Sequence, residues 1–481
     1  MNFLRQLLTA EDSLLQIEAS STIHARAVRG RHMRWRWAIV WLTQLVFYGL
    51  PWLQVDGQPA LWFDLNGLRF FVLGAVLFPQ DLVWLATLLI ACALLLFFAT
   101  SLLGRVWCGF ACPQTVYTAL FTWIEHRCEG DRRARELLDN SGWNLHKVTR
   151  RGAKQALWLL ASLWTGATLV GYFTPIRTLM ANIPQGLGAW ESFWILFYGL
   201  ATYGNAGFLR EKVCLHMCPY GRFQGSLMDR HTLNVSYDTH RGEPRGGRSR
   251  QADAKAMGLG ACVDCTLCIQ VCPTGVDIRK GLQAGCINCG LCIDACDTVM
   301  DKIEQPRGLI RFASQQELAS RVPANSVRPL GLRVLKQLRR PRVALYATLL
   351  VAIGVSLIHG VITHPQLRLN SMRDRSVMSR VVERGAVENL YQLLLVNASN
   401  EERLISLSVL SNKLDGLTLE PAEPVVLLPA QTHTVLVRVR IPGEQVREHP
   451  GQTVPVTFLA SSIHDAGFTQ AQSPSTFMIP R

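Results

Sequence analysis

The chain of 481 residues has no cysteine after Cys296, and only 17 % of its residues are charged. The first absence leaves its C-terminal part without disulfide or thiolate chemistry. The second, beside a hydrophobic fraction of 49 % and a mean hydropathy of +0.16, excludes a disordered chain and suits an ordinary soluble enzyme poorly. Residues 1–30 lack a compact apolar core followed by a small-residue cleavage site. No cleavable signal is expected there, and the first apolar segment is expected to stay in a membrane as an anchor. Acidic residues are scarce beside basic ones, 35 against 49, a net charge of +14. Such an excess raises nucleic-acid binding; how the charges are spread removes the need for it.

Five stretches, 37–53, 82–103, 156–173, 190–209 and 343–363, are apolar enough to cross a bilayer, which takes about 20 residues. The run "RFFVLGAVLFP" (69–79) is too short and reads as an interfacial or re-entrant piece. Arg26, Arg29, Arg31, Arg34 and Arg36 precede the first stretch, and nine basic residues from Arg105 to Lys154 lie between the second and third. The intervening loops hold only Arg69 and Arg177. The positive-inside rule then puts the N-terminus in the cytoplasm and, after five crossings, the C-terminus outside.

The expected organisation is a cytoplasmic segment 1–36, a four-helix membrane region 37–209, a cytoplasmic region 210–342, a fifth membrane helix 343–363 and an external domain 370–481. Residues 239–259, rich in Gly and Arg, read as a linker, and the basic stretch around Arg339 as a juxtamembrane anchor. Beyond 370, short runs such as "TVLVRVRIP" and "QTVPVTFLAS" alternate with period two between Pro, Gly and Asn, the pattern of a small β-sandwich.

Fourteen cysteines remain to be explained, and eight lie within 262–296. "CVDCTLCIQVCP" sets Cys262, Cys265, Cys268 and Cys272; "CINCGLCIDACD" sets Cys286, Cys289, Cys292 and Cys296. Gaps of two, two and three are the bacterial ferredoxin pattern for 4Fe–4S clusters, in which the fourth cysteine of each run serves the other cluster. One cluster is then held by Cys262, Cys265, Cys268 and Cys296, the other by Cys286, Cys289, Cys292 and Cys272. A pair of zinc sites is the competing reading, but zinc uses paired rather than threefold-plus-one spacing. Asp297 replaces the usual proline; it is either a surface carboxylate or a negative charge that lowers a cluster's potential. This ferredoxin domain is expected over about 255–305.

Two further pairs close apolar runs: Cys108 and Cys112 in "VWCGFACPQ", Cys214 and Cys218 in "VCLHMCPYG". Each is Cys-x-x-x-Cys-Pro and follows an even-numbered span, at the cytoplasmic edge. Four apart on a helix means one face, so two pairs are expected to converge on one site for a soft ion, above all copper(I). Met217 and His216 are auxiliary candidates; inert buried thiols are the alternative, and that reading is preferred for Cys92 and Cys128.

The blocks "GRVWCGFACPQTVYTALFTWIE", "NAGFLREKVCLHMCPYGRFQ", "CVDCTLCIQVCPTGVDIRKGLQ" and "ACDTVMDKIEQPRGLIRF" resemble the CcoG/FixG family of cytochrome c oxidase accessory proteins over nearly the whole chain. The resemblance implies a bacterial inner-membrane polyferredoxin with two 4Fe–4S clusters, the eight clustered cysteines as their ligands, and reduction of copper(II) to copper(I) at Cys108, Cys112, Cys214 and Cys218. It implies a periplasmic immunoglobulin-like domain at the C-terminus and cbb-type cytochrome c oxidase subunits or assembly factors as partners. The fold class expected is thus a multi-domain membrane protein: five transmembrane α-helices, a cytoplasmic two-cluster ferredoxin-like α+β domain and a C-terminal immunoglobulin-like β-sandwich. A copper chaperone or copper-transporting ATPase would receive the ion, an unidentified donor would supply electrons, and a homodimer is left open. A quinol-linked electron carrier and a non-catalytic assembly scaffold are the alternatives.

Overall fold

A computed structural model describes residues 25–55, 57–249, 256–320, 329–363, 365–374, 379–399, 401–463 and 470–480. Residues 1–24 of the expected N-terminal segment and 250–255 of the expected linker lie outside them. The chain divides into two compact units. One comprises Met1–Gly49, Leu89–Val170 and Gly186–Ile353; the other comprises Leu50–Leu88, Gly171–Gln185 and Gly354–Arg481.

The first unit is mainly helical. Its elements are α1 (Arg31–Gly49), α2 (Leu82–Leu103, whose first turns belong to the second unit), α3 (Val106–Phe110), α4 (Pro113–Glu129), α5 (Arg132–Asn140), α6 (Leu145–Val170), α7 (Ala189–Thr202), α8 (Pro219–Leu227), α9 (Leu267–Gln270), α10 (Leu291–Lys302) and α11 (Pro341–Ile362, ending in the second unit). Each expected apolar stretch therefore forms a helix. Two of them, Pro79–Leu103 and Pro341–Gly360, are long and apolar enough to cross a membrane. Little in the protein covers them: Val83, Leu89, Val351 and Val355 are all more than half exposed. Such lateral apolar surface belongs to a membrane protein. The other three fall short by composition or length: α1 carries Arg31, Arg34 and Arg36, α6 is basic in its first half, and α7 is 14 residues long before it widens into a π-helical stretch at Tyr203–Leu209.

Helices α6 and α7 pack closely because a Cβ at Gly166 would lie 2.4 Å from the carbonyl oxygen of Ile195. Phe121 of α4 stacks on Trp158 of α6, ring centroids 5.2 Å apart. Glu125 of α4 binds Arg135 of α5 at 3.0 Å and Arg210 at 3.2 Å, so the buried carboxylate ties three segments together.

Around the clustered cysteines, α9 and α10 pack on an antiparallel ribbon of Asn234–Tyr237 with Ile310–Ala313, in register Asn234↔Ala313 to Tyr237↔Ile310. The shared core contains Val235, Tyr237, Ile278, Ile293, Met300 and Ile310. This is an α+β ferredoxin module, and its ribbon comes from either side of the 255–305 stretch. The described part of the expected linker is not a free tether. Asp238 caps the turn Thr239–Gly242, Gly246 donates to the Cys262 carbonyl at 3.3 Å, and Arg248 donates to Gly260 at 2.7 Å and Ala261 at 3.2 Å. Its Gly and Arg residues supply main-chain approach and donors to the first thiol loop.

The second unit is built on β-structure. Strands β1 (Leu61–Asp64), β2 (Arg69–Val72) and β3 (Ala75–Leu77) form an antiparallel meander, paired Leu61↔Val72 and Phe70↔Leu77. The 69–79 run is thus a hairpin rather than an interfacial or re-entrant piece. Its apolar residues serve protein packing: Phe71, Val76 and Phe78 are buried against Val396, Ala398 and Ala430. The sandwich has one sheet of β4 (Leu367–Arg373), β5 (Val387–Asn397), β7 (Thr418–Glu420) and β9 (Thr432–Ile441) in the order β7-β9-β5-β4, with Arg380–Val381 also on β5. The other sheet holds β6 (Arg403–Leu410), β8 (Val425–Leu427), β10 (Thr453–Ser462) and β11 (Ala471–Met478) in the order β8-β6-β10-β11. Alternate residues of β5 and β10 face inward, as period-two strands require. Tyr391 meets Phe458 edge-on at 4.9 Å in the centre.

Candidate iron–sulfur and thiol sites

The eight clustered cysteines fall into two groups of four around two cavities. One is lined by Cys262, Cys265, Cys268 and Cys296 together with Tyr237, Met300 and Ile310. The other is lined by Cys272, Cys286, Cys289 and Cys292 with Val235, Val276 and Ile278; Cys268 also borders it. The fourth cysteine of each run therefore faces the cavity of the other run. The turns needed to aim the first three inward use left-handed residues, Asp264, Thr266, Asn288 and Gly290. Among the described residues no group of three or more His, Cys, Asp or Glu is arranged to hold a single metal ion. Four soft thiols standing round an apolar cavity fit a cluster of cubane size better than one zinc ion.

Burial sets the thiol chemistry. It pushes Cys286 and Cys296 up to about 12 and Cys268 up to about 11, and raises Cys289 and Cys292 as well. Burial favours the neutral form of these five thiols until a cation compensates the thiolate charge. Asp297 is half-buried beside Cys296; burial raises its pKa, and its carboxylate accepts the Gly308 amide at 3.0 Å. It is thus a charge near the first cavity rather than a surface group.

The two Cys-x-x-x-Cys-Pro pairs do not lie on helix faces. Cys108 is in α3, but Cys112 is extended (φ −60°, ψ 129°) and stands just before α4, whose first residue is Pro113. Cys214 is in a π-helical turn, Val213–Met217, and Cys218 is extended (φ −80°, ψ 109°) just before α8, which begins at Pro219. Proline forces the preceding residue out of the helical region and starts the next helix. The expectation of a continuous helical face is therefore wrong, while the expected repetition of the motif extends to its backbone.

The break still brings the pairs together: Cys108 lies within electrostatic range of Cys112, Cys214 and Cys218, and Cys112 within range of Cys218. Burial pushes Cys108 up to about 12 and Cys214 up to about 11. Gln224, fully buried on α8, accepts the Cys108 Sγ–H at 3.2 Å. Arg105 donates to the carbonyls of Gly221 and Ala284 and acts electrostatically on both Cys108 and Cys286. His216 and Met217 are exposed. Cys92 is exposed on α2, and Cys128 on α4 interacts with Glu129 and Lys154, so neither joins the four.

The first pair reaches the wall of the second cavity through Cys108. Cys108 packs against the cluster of Val271, Ile287, Cys289, Leu291 and Ala295. Gly109 makes the approach feasible, because a Cβ there would lie 2.5 Å from the Ile287 carbonyl oxygen and 2.9 Å from the Cys289 Cα. Sequence reasoning missed Gln224, Arg105, Arg36 and Gly109. None belongs to a ligand pattern, and only the nearness of Arg105 and Gly109 to Cys108 offered a signal.

A family model described as a 4Fe-4S dicluster domain matches residues 209–315, and one described as a 4Fe-4S binding domain matches 85–128. A third, for the IG-like fold at the C-terminal of FixG, matches 357–480. Protein RdxA of Cereibacter sphaeroides is 37% identical over 452 residues, which cover 92% of this chain and 94% of RdxA. Nitrogen fixation protein FixG of Rhizobium meliloti is 36% identical over 422 residues, covering 82% and 80%. Ferredoxin-type protein NapH of Haemophilus influenzae is 24% identical over 201 residues, covering 41% and 57%. Full-length similarity to RdxA and FixG, together with eight thiols set in fours around two cavities, means that the chain belongs to the RdxA/FixG family of 4Fe–4S electron-transfer proteins.

Proposed function

We propose that this protein reduces copper(II) to copper(I) for assembly of a cbb-type cytochrome c oxidase. The observation that carries the reading is the packing of Cys108 against the apolar cluster that includes Ile287 and Cys289, two residues lining the second cavity. One set is Cys262, Cys265, Cys268 and Cys296, the other Cys286, Cys289, Cys292 and Cys272. When bound, such clusters supply one-electron storage and transfer.

Cys108, Cys112, Cys214 and Cys218 receive the copper. Thiolates are soft and favour copper(I) over copper(II), so the ligand set itself favours uptake of one electron by the ion. Burial favours the neutral thiol at Cys108, Cys112 and Cys214, so the four sulfurs draw together on the ion with release of protons. Gln224 orients the Cys108 sulfur. The product, copper(I), passes to a copper chaperone or copper-transporting ATPase.

The same reading places five membrane crossings, the N-terminus in the cytoplasm and the sandwich in the periplasm of a bacterial inner membrane. Two observations support it. The chain passes between its two compact units five times, each time within one of the five apolar helices or within four residues of its end. The arginine-rich segments before α1 and between α2 and α6 fall in one unit, while the loops with only Arg69 and Arg177 fall in the other.

The test uses anaerobically purified, chemically reduced protein and a copper(I) chelator. Serine replacement at Cys108, Cys112, Cys214 and Cys218 should abolish copper(I) formation while the iron content and cluster EPR signals persist. Undiminished reduction by the four-serine protein would remove the site from the reaction.

A further inference from the structure

We infer that the two four-thiol sites differ in potential: the site of Cys272, Cys286, Cys289 and Cys292 holds its electron more tightly, so electrons enter at the other site and collect beside Cys108. The inference rests on the iron–sulfur reading above and adds a direction to it.

The charges around the sites are unequal. Two guanidinium groups act on the second site. Arg36 of α1 is buried and within electrostatic range of Cys289 and Cys272. Among the described residues no carboxylate pairs with it, and its Nε has no hydrogen-bond partner. Arg105 acts on Cys286, and the acceptors it holds, Ala284 and Gly221, are neutral carbonyls. At the first site the guanidinium groups are matched by acids. Arg279 acts on Cys268 but is gripped by Asp277 through two bonds of 2.7 and 2.9 Å and also binds Asp264. Arg241 acts on Cys296 in company with Asp238 and Asp297. Asp294, between the sites on α10, directs its oxygens to the amides of His32 and Met33.

Reduction adds a negative charge to a buried group, and an unmatched cation nearby favours that form. A buried guanidinium without a counter-ion is costly, and an anionic thiolate-bound cluster is the counter-ion that Arg36 lacks. Solvent exposure works the other way, since Cys265 of the first site is exposed while no thiol of the second site is. Two full charges at low dielectric outweigh the exposure of one ligand. The exposed Cys265 also marks where a donor reaches the first site.

The electron count is simple. A reduced one-electron carrier, such as a flavin hydroquinone or a reduced iron–sulfur protein, gives up one electron at the Cys265 edge. A copper(II) ion at the thiol pairs takes up one electron and becomes copper(I). No group is transferred.

The experiment is an EPR-monitored potentiometric titration of the full-length protein, preceded by iron and sulfide analysis. A wild-type protein without iron would strike the underlying iron–sulfur reading and not this ordering. With iron present, two midpoint potentials are expected. Arg36→Gln should lower the higher one, moving the electron distribution between the sites by about tenfold or more, and leave the lower one in place; Arg36→Lys should restore it. Asp277→Asn, which unmatches Arg279, should raise the lower potential alone. If Arg36→Gln shifts the lower potential, or neither while iron is retained, the ordering is overturned. Should Arg36→Gln lose its iron, Asp277→Asn decides: an unmoved lower potential overturns the proposal.

Discussion

Asp294 holds the start of the first apolar helix through His32. Its Oδ1 accepts the His32 amide at 3.2 Å and lies 2.9 Å from His32 Nδ1, and its Oδ2 accepts the Met33 amide at 2.9 Å. A residue between Cys292 and Cys296 of α10 thus does for α1 what an N-cap does, although 262 residues separate it from His32. It satisfies donors that the first turn leaves open and puts negative charge at the positive end of the helix. The contact is tight: a Cβ at Gly30 would lie 2.2 Å from the Asp294 Cγ, and one at Gly290 would lie 2.7 Å from the His32 ring.

Replacing Asp294 by alanine should cost stability on the scale of a lost cap, about 0.5–2 kcal/mol. The expected readout is faster proteolysis near residues 25–31 with iron still bound. Asp294→Asn, which keeps acceptor oxygen but drops the charge, should fall between the two. Wild-type protease resistance in the alanine variant would show that the cap holds nothing.

Gly109 keeps the thiol pairs against the second cavity. Gly109→Ala introduces a Cβ that meets backbone at 2.5 Å and 2.9 Å, and backbone does not swing aside as a side chain does. Reduced protein carrying this change should transfer electrons to copper more slowly, by about tenfold or more, with unchanged iron content. Gly142→Ala, where nothing lies within 4 Å, is the matched control. Equal rates in both variants would separate the close approach from the reaction.

Gln224 tests whether the Cys108 sulfur is oriented. Gln224→Leu removes the acceptor at 3.2 Å and leaves similar volume. The variant is expected to bind copper(I) more weakly, seen by competition with a chelator, while Gln224→Glu retains an acceptor at that position. No change in Gln224→Leu would make the glutamine a packing residue alone.

The Asp277–Arg279 pair predicts a pH dependence. The hydrogen-bonded Arg279 guanidinium holds the Asp277 carboxyl below its usual range. A carboxyl depressed in the folded state contributes stability above its unfolded value, about 3.9, and the contribution is lost as the pH falls through the folded value. Wild type should therefore resist urea better than Asp277→Asn at neutral pH, and the gap should close near about pH 3. A gap that persists in acid would assign the difference to shape rather than charge.

The sandwich is expected to fail independently of the thiol sites. Phe458 is fully buried against Tyr391, and Phe458→Ala should cost about 3–5 kcal/mol. Calorimetry should show loss or lowering of one transition while the iron-to-protein ratio stays at the wild-type value. Loss of iron in step with the sandwich would show that the two units fold as one.

Much of the site was legible from spacing. In a ferredoxin run the thiols are separated by two or three residues, and a chain that short has few ways to wrap a cavity, so the grouping by four followed from the order of residues. Apolar length likewise marked the helices α1, α2, α6, α7 and α11, and period-two alternation marked β5 and β10. The same local logic failed at 69–79, where apolar residues pack on Val396 and Ala430, and at Cys112 and Cys218, where proline ends the helix that a four-residue spacing suggests.

Sequence alone determined the candidates for chemistry and the class of fold: soft ligands at fixed short intervals, long uncharged runs and an alternating C-terminal domain, all of them properties of neighbours along the chain. Only tertiary structure decided that Cys108 packs on the cluster that contains Cys289, that Arg36 stands beside that site with no carboxylate partner among the described residues, and that Asp294 caps α1. Those relationships join residues tens to hundreds of positions apart. Chain connectivity does not constrain such pairs; packing and the need to satisfy buried charge do.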